Sequence, residues 1–219
     1  MPYRYVISAL LLAPLLLAGC QTFVSAPRGF DEKAIRFGKP TEAEMVEVRT
    51  ALNQNATERG MSPAQAANAF SRLGWERIVA RRYDEAMPYL NRAWALAPDN
   101  PAVIAGLAMV RRYRDRDADA AIAELRRAIA LRPDDPALRV HYGRMLADEG
   151  EDDAAIAAFL QALTLDPNTP NAHLALALLY QRKGDYRQAL AHARIGHRTG
   201  EIPDPLWIRA LEKKLAEES

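Results

Sequence analysis

The sequence predicts an all-α solenoid built from stacked pairs of helices, and three observations support this prediction. Four alanines recur at intervals of 35, 34 and 34 residues, at Ala86, Ala121, Ala155 and Ala189. Three prolines keep nearly the same spacing, at Pro98, Pro133 and Pro167. Strong helix formers are abundant, while glycine accounts for only 11 of the 219 residues. A sequence period of about 34 residues is typical of helical repeats that stack one on the next.

The overall composition indicates a single domain and argues against several classes of function. The 29 basic and 28 acidic side chains nearly cancel, so the charge gives no reason to expect a nucleic-acid partner. Cys20 is the single cysteine, which excludes an internal disulfide. The sequence contains no phosphate-binding glycine loop, no GxSxG motif and no metal-ligand cluster. We therefore expect a protein that is not an enzyme and that holds neither a cofactor nor a metal.

Residues 1–19 have the features of a signal peptide, and Cys20 follows directly. Arg4 precedes an apolar run that is short for a membrane span but suits a secretory signal. The run ends in Leu17-Ala18-Gly19-Cys20, which resembles the lipobox of bacterial lipoproteins. In that family the cysteine thiol is acylated and becomes the first residue after cleavage. The resemblance implies that this chain contacts a membrane through a lipid at Cys20.

The residue after Cys20 indicates whether the lipid anchor lies in the inner or the outer membrane. Gln21 occupies the position at which an aspartate favours inner-membrane retention in Gram-negative lipoproteins. The resemblance therefore implies the periplasmic face of the outer membrane. Two alternatives are cleavage after Ala26, which would release a soluble periplasmic protein, and an uncleaved membrane anchor.

Two further segments are predicted before the repeats, a lipidated tether over residues 20–40 and an N-terminal helix and loop over residues 41–61. Thr41 and Glu44 form a capping-box pattern for this helix, which we expect to end near Asn53. Ser62 and Gln65 give a second helix start. The first helix of the repeat domain is therefore expected to begin early, before residue 67.

The repeat domain is predicted over residues 62–200, followed by a capping helix in residues 201–219. Its four repeats are placed at residues 67–100, 101–135, 136–169 and 170–200. Each repeat has a helix A, a short turn and a helix B. Small residues mark helix A at Gly74, Ala108, Gly143 and Ala177. These residues and the recurring alanines of helix B allow the two helices of a pair to approach closely.

These repeats resemble the tetratricopeptide repeat, TPR, from residue 67 to residue 200. The resemblance implies a right-handed α-solenoid of about four repeats, in which the helix A faces line a concave surface that binds a protein or peptide. The layout is similar to that of TadD-type lipoproteins of Flp pilus assembly and of PilF/PilW-type pilotins. It implies assistance in the assembly of an outer-membrane secretin. The alternatives are an adaptor for peptidoglycan hydrolases or another envelope enzyme, as in NlpI-like lipoproteins, and a general protein-binding TPR lipoprotein.

Helix periodicity predicts which side chains line the concave surface. At about 100° per residue, the positions turned away from the packed side of each helix A form one row. Its members are Asn68, Ser71, Trp75, Val79, Met109, Tyr113, Val140, Arg144, Asp148, Asn171, Leu174, Leu178 and Arg182. The row is more apolar than a solvated face, which favours a groove for a helix or an extended peptide with apolar anchors. Alternatively, residues 21–53 cover this surface as a lid.

The remaining polar groups are interpreted as structural. The Lys/Asn carboxylate clamp of chaperone-binding TPR domains does not occur in the row, which argues against recognition of an acidic chaperone C-terminus. The four histidines, His141, His173, His192 and His197, form no metal-binding pattern and are expected to be ordinary helix residues. The run from Arg111 to Asp117 alternates Arg with Asp in its second half, which is typical of a solvated turn.

Overall fold

The computed structural model describes residues 42–201 and 205–217, and all regular structure within these ranges is helical. Ten helices run through them as α1 (Glu42–Glu58), α2 (Pro63–Val79), α3 (Tyr83–Leu96), α4 (Pro101–Tyr113), α5 (Ala118–Leu131), α6 (Pro136–Asp148), α7 (Asp152–Leu165), α8 (Ala172–Arg182), α9 (Tyr186–Arg198) and α10 (Pro205–Glu217). Four pairs, α2/α3 to α8/α9, stack in chain order, and α10 packs on α9. The predicted all-α solenoid of about four repeats with a capping helix is confirmed.

Side-chain caps fix where helix A begins in the first three pairs. Ser62 and Gln65 form the expected capping box, with Gln65 N–H donating to Ser62 Oγ at 3.2 Å and Ser62 N–H donating to Gln65 Oε1 at 2.8 Å. Asn100 and Asp135 each accept a hydrogen bond from the backbone N–H two residues later, at 3.0 Å in both cases. All three caps are followed by a proline at the first helical turn, where its missing N–H is harmless.

The two helices of a pair approach closely where the sequence places its small residues. The four recurring alanines, Ala86, Ala121, Ala155 and Ala189, are all fully buried. A Cβ added to Gly143 would lie 3.2 Å from the carbonyl oxygen of Ala155 and 3.0 Å from the Phe159 ring. Helix α6 therefore packs closely on the backbone of α7, and a larger side chain at residue 143 would require its neighbours to shift.

Leu90 of α3 extends this close packing from one repeat to the next. Its Cδ2 methyl lies 2.7 Å from the Cβ position of Gly74 in α2 and 2.7 Å from that of Gly106 in α4. The side chain is fully buried. Because one methyl group fills the space beside two glycines, Leu90 links the first repeat to the second.

The buried residues form three clusters along the solenoid. The first extends from α1 to α6, the second joins α6, α7 and α8, and the third joins α8, α9 and α10. Helix α6 contributes Leu138 and Met145 to the first cluster and Val140 and Leu146 to the second. It is therefore the helix at which the two larger clusters meet.

Helix α1 is longer than the sequence pattern indicated, since it continues past Asn53 to Glu58. Its apolar stripe of Met45, Val48 and Leu52 is extended by Ala56, which is fully buried. The stripe packs on α2 and α3. This burial outweighs the poor helix propensity of the Asn-rich stretch around residue 53.

The turns from helix A to helix B repeat a left-handed backbone position at the same interval as the alanines. This position is held by Arg81 (φ 58°), Arg116 (φ 60°), Gly150 (φ 82°) and Gly184 (φ 80°). Glycine adopts this conformation without strain, whereas a residue with a Cβ does not. The first two repeats therefore carry backbone strain that the last two avoid.

The expected solvated turn in the run from Arg111 to Asp117 is only partly correct. Helix α4 continues to Tyr113, so Arg111 and Arg112 are helical and their side chains are only 21% and 20% exposed. Arg111 lies 3.6 Å from Glu124 and Arg112 lies 2.5 Å from Glu149. The sequence pattern does not reveal these partners because they come from α5 and from the residue that follows α6.

Several expectations concern residues outside those that the structure describes. These are the signal peptide, the lipid at Cys20, the tether and the capping box that begins at Thr41. Within the described part of the chain, every helix falls short of the length and apolar character needed to cross a membrane.

Replacing Gly74 with alanine should lower the free energy of unfolding by about 1–2 kcal/mol, because the new methyl group overlaps the buried Leu90 side chain. In a Leu90→Ala background the same replacement should become neutral or stabilising, because the overlap is gone and alanine favours the helix. Chemical denaturation of the four proteins measures this coupling. Equal effects of Gly74→Ala in both backgrounds would show that Leu90 does not set the helix spacing.

Replacing Arg116 with glycine should raise the free energy of unfolding by about 0.5–1 kcal/mol, because it relieves the left-handed backbone strain. Arg116→Ala is the matched control, since it removes the same side chain but keeps the Cβ. A gain in stability for both variants would assign the effect to the side chain and contradict the strain argument.

Candidate binding groove

Two adjoining concavities lie on the helix A faces of the solenoid. The N-terminal concavity has a volume of about 710 Å³ and is lined mainly by α2, α4 and α6. The C-terminal concavity has a volume of about 280 Å³ and is lined mainly by α6 and α8. They share Arg144, Asp148 and Asn171. Together these concavities form one continuous surface, called the groove below.

Most of the predicted row lies in this groove. The residues that line it are Trp75, Val79, Met109, Tyr113, Val140, Arg144, Asp148, Asn171, Leu174, Leu178 and Arg182. Met109 and Val140 are buried and form its floor. Binding by any of these residues remains a prediction.

Asn68 and Ser71 do not line either concavity. Ser71 is buried, at 4% exposure. Asn68 Oδ1 accepts a hydrogen bond from the Asn100 side chain at 3.1 Å, and Asn100 in turn caps α4. These two residues contribute to packing and to the junction between α2 and α4, which helix periodicity alone does not reveal.

Trp75 is held in place by two contacts with other helices. Its indole N–H donates to the carbonyl oxygen of Ala102 at 3.0 Å. Its ring stacks on His141, with ring centroids 4.7 Å apart and an interplanar angle of 23°. The sequence predicts an ordinary helix residue at His141, because the residue that it contacts is distant in the chain. The indole surface that faces the groove is therefore preorganised.

A second aromatic pair forms another wall of the N-terminal concavity. Tyr83 and Tyr113 stack with their ring centroids 5.7 Å apart. The Tyr113 hydroxyl donates to Asp148 Oδ2 at 2.8 Å. Burial, together with this hydrogen bond and the carboxylate charge, raises the pKa of Tyr113. The phenol therefore stays protonated and ties α4 to α6.

The apolar side chains at the two ends of the groove are exposed to solvent. Val79, at the end of α2, is 82% exposed, and Leu178, in the middle of α8, is 52% exposed. Near the C-terminal end, Arg182 Nε donates to Asp152 Oδ2 at 2.7 Å, so this guanidinium group is already paired. Exposed apolar side chains on a concave surface are a common feature of protein-binding sites.

The described part of the proposed lid does not cover the groove. Residues 42–53 lie in α1, whose apolar stripe faces α2 and the helix B of the first pair, α3. Arg49 Nε also donates to the carbonyl oxygen of Ala95 in α3, at 3.0 Å. Residues 21–41 lie outside the residues that the structure describes.

Outside the groove, two histidines that were expected to be ordinary form a pair. The Nδ1 atoms of His173 and His192 lie 3.0 Å apart, which links α8 to α9. Burial, followed by repulsion from His173, lowers the pKa of His192. Among the described residues, no group of three or more His, Cys, Asp or Glu side chains is arranged to hold a metal ion. The contact joins the two helices of the fourth repeat.

The stability of the fold should depend on the protonation of His141. Burial, followed by repulsion from Arg144, lowers the pKa of His141 to about 4. Since this folded-state value lies below the unfolded value of about 6.5, the ring stabilises the fold above pH 6.5 and this contribution is lost as the pH falls towards 4. Between pH 7.5 and pH 5 the loss should be about 2 kcal/mol.

His141→Phe should remove this contribution, because phenylalanine retains a ring to stack on Trp75 but cannot take up a proton. Denaturant titrations of the wild type and the variant at several pH values measure the difference. The other titratable groups are common to both proteins. Parallel stability curves from pH 7.5 to pH 5 would contradict the prediction.

Comparisons with known proteins agree with the architecture. A family model for the TPR repeat matches residues 143–184. The structure of PilF from Pseudomonas aeruginosa is 21% identical, with 72% of this chain and 78% of that chain covered, and a TM-score of 0.59. PilW, described as a widely conserved type IV pilus biogenesis factor, is 17% identical, with 80% and 78% covered and a TM-score of 0.60.

A third similar structure is the APC/C hetero-tetramer Cut9–Hcn1, at 24% identity and a TM-score of 0.59. The match covers 78% of the chain described here but only 33% of the Cut9–Hcn1 chain. None of the curated protein sequences matches this chain. At these identities the likeness concerns the fold, and the chain has the fold of TPR solenoid proteins, with a TPR repeat recognised over residues 143–184.

Proposed function

We propose that this protein is a non-catalytic scaffold whose groove binds a segment of a partner protein. The observation that carries this proposal is the exposure of apolar side chains, Val79 and Leu178, at the two ends of a concave surface with a buried apolar floor. Burial of such side chains by a partner is favourable, at roughly 25 cal/mol per Å² of apolar surface. A groove of this shape suits a helix or an extended peptide.

The fixed conformations of the groove side chains also support binding. Trp75 is held by Ala102 and His141, and Tyr113 is held by Asp148 and Tyr83. A partner that contacts these rings does not have to immobilise them. Preorganisation of this kind lowers the entropic cost of association.

The cellular role that we propose depends on the N-terminal sequence. A lipid at Cys20 would confine the scaffold to the periplasmic face of the outer membrane and raise its effective concentration there. PilF from Pseudomonas aeruginosa and PilW have the same fold, and PilW is described as a type IV pilus biogenesis factor. We therefore propose that the protein assists the assembly of a pilus or secretin machine, of the Flp or the type IV kind.

A photo-reactive amino acid placed at residue 178 should form crosslinks to a partner in intact cells, because Leu178 faces the groove. The matched control is residue 160, since Leu160 is 41% exposed but lies on α7, a helix B. Mass spectrometry of the crosslinked species identifies the partner. A secretin or pilus subunit crosslinked only from residue 178 is expected.

Other outcomes of this experiment contradict the proposal at different levels. A peptidoglycan hydrolase as the specific partner would overturn the pilus role and keep the scaffold. Equal crosslinking from residues 160 and 178 would overturn the assignment of the groove. The lipid anchor needs a separate experiment, in which a Cys20→Ser form that still fractionates with outer membranes would overturn it.

A further inference from the structure

We propose that the groove recognises an internal segment of its partner that carries one acidic side chain between apolar residues, with the carboxylate bound by Arg144. This inference rests on the proposed function and specifies the chemistry of the ligand. It follows from the charges that line the groove and from the position of Arg144 between the two apolar ends.

The groove carries more positive than negative charge. Its cationic side chains are Arg81, Arg144 and Arg182, and its carboxylate is Asp148. Arg182 is paired with Asp152, whereas Arg81 and Arg144 have no ion-pair or hydrogen-bond partner for their side chains among the described residues. Two unpaired guanidinium groups therefore face one carboxylate, which favours an anionic ligand.

Asp148 and Arg144 both lie on α6, but no hydrogen bond or ion pair joins their side chains. The Asp148 carboxylate instead accepts a hydrogen bond from the Tyr113 hydroxyl, at 2.8 Å. The neighbouring Arg112 pairs with Glu149, which lies just beyond α6. Since neither Asp148 nor another described side chain forms an ion pair with Arg144, its guanidinium group remains available to a ligand.

The position of Arg144 distinguishes an internal acidic side chain from a terminal carboxylate. Arg144 lines both concavities, with Trp75 and Val79 on one side and Leu174 and Leu178 on the other. A chain that ended at Arg144 would fill one concavity and leave the other empty. A segment that continues past Arg144 places apolar side chains in both, which buries more apolar surface.

Selection from a library of random 12-residue peptides, displayed with both ends extended, tests this proposal. The target is the full-length chain purified in detergent, and the recovered peptides are then synthesised for binding measurements. We expect enrichment of peptides with one Asp or Glu between apolar residues. Replacing that acidic residue with its amide should weaken binding about tenfold or more, since a hydrogen bond to a charged group is lost.

Arg144→Gln should weaken binding of the acidic peptides by the same factor. The acidic peptide and its amide form should then bind this variant with equal affinity. Arg187→Gln is the matched control, because Arg187 is exposed on α9, away from the groove, and the change in net charge is identical. Both replacements are at exposed positions, so the fold should be retained, which circular dichroism verifies.

The outcomes separate this inference from the proposed function. Peptides that bind the wild type and a Leu178→Ser variant equally, or no enriched peptides, would contradict the groove as a binding site. Groove-binding peptides without acidic residues, or equal losses for Arg144→Gln and Arg187→Gln, would overturn only the role of Arg144. Binders that require a free C-terminal carboxylate, obtained from a library displayed with that end free, would overturn the internal segment.

Discussion

The close approach of helix A to helix B within each repeat is the constraint on which the rest of the structure depends. Gly143 lies so near the backbone of α7 that a Cβ would contact the Ala155 carbonyl oxygen. Gly74 and Gly106 leave the space that Leu90 fills. With the spacing of each pair fixed in this way, successive pairs stack at regular intervals. The helix A faces then form one continuous surface instead of four separate ones.

The groove inherits its geometry from this stacking. Its floor consists of buried residues such as Met109 and Val140, which also belong to the hydrophobic clusters. Contacts between different repeats fix its walls, as in the stacking of Trp75 on His141 and the hydrogen bond from Tyr113 to Asp148. The same side chains therefore hold different repeats together and shape the surface presented to a partner.

The fold could be predicted from the sequence because its determinants are periodic and local. The capping box at Ser62 and the interval between Ala86 and Ala121 are visible without any tertiary information. The candidate site was harder to predict, because Trp75 and His141 belong to the first and third repeats and meet only in the folded stack. Helix periodicity also placed Ser71 in the groove, although neighbouring helices bury it. The direction in which a side chain leaves its helix can be calculated from the sequence, but the residues of other helices that it contacts cannot.

Helix α6 couples the two larger hydrophobic clusters. It supplies buried residues to both, and Tyr142 of the same helix packs against both. The groove passes over this helix, since Arg144 lines both concavities, of which one extends towards α2 and the other towards α8. A ligand that filled both concavities would therefore contact helices that belong to different clusters. Because such a ligand would bind the folded stack and not the unfolded chain, its binding would add to the stability of the whole solenoid.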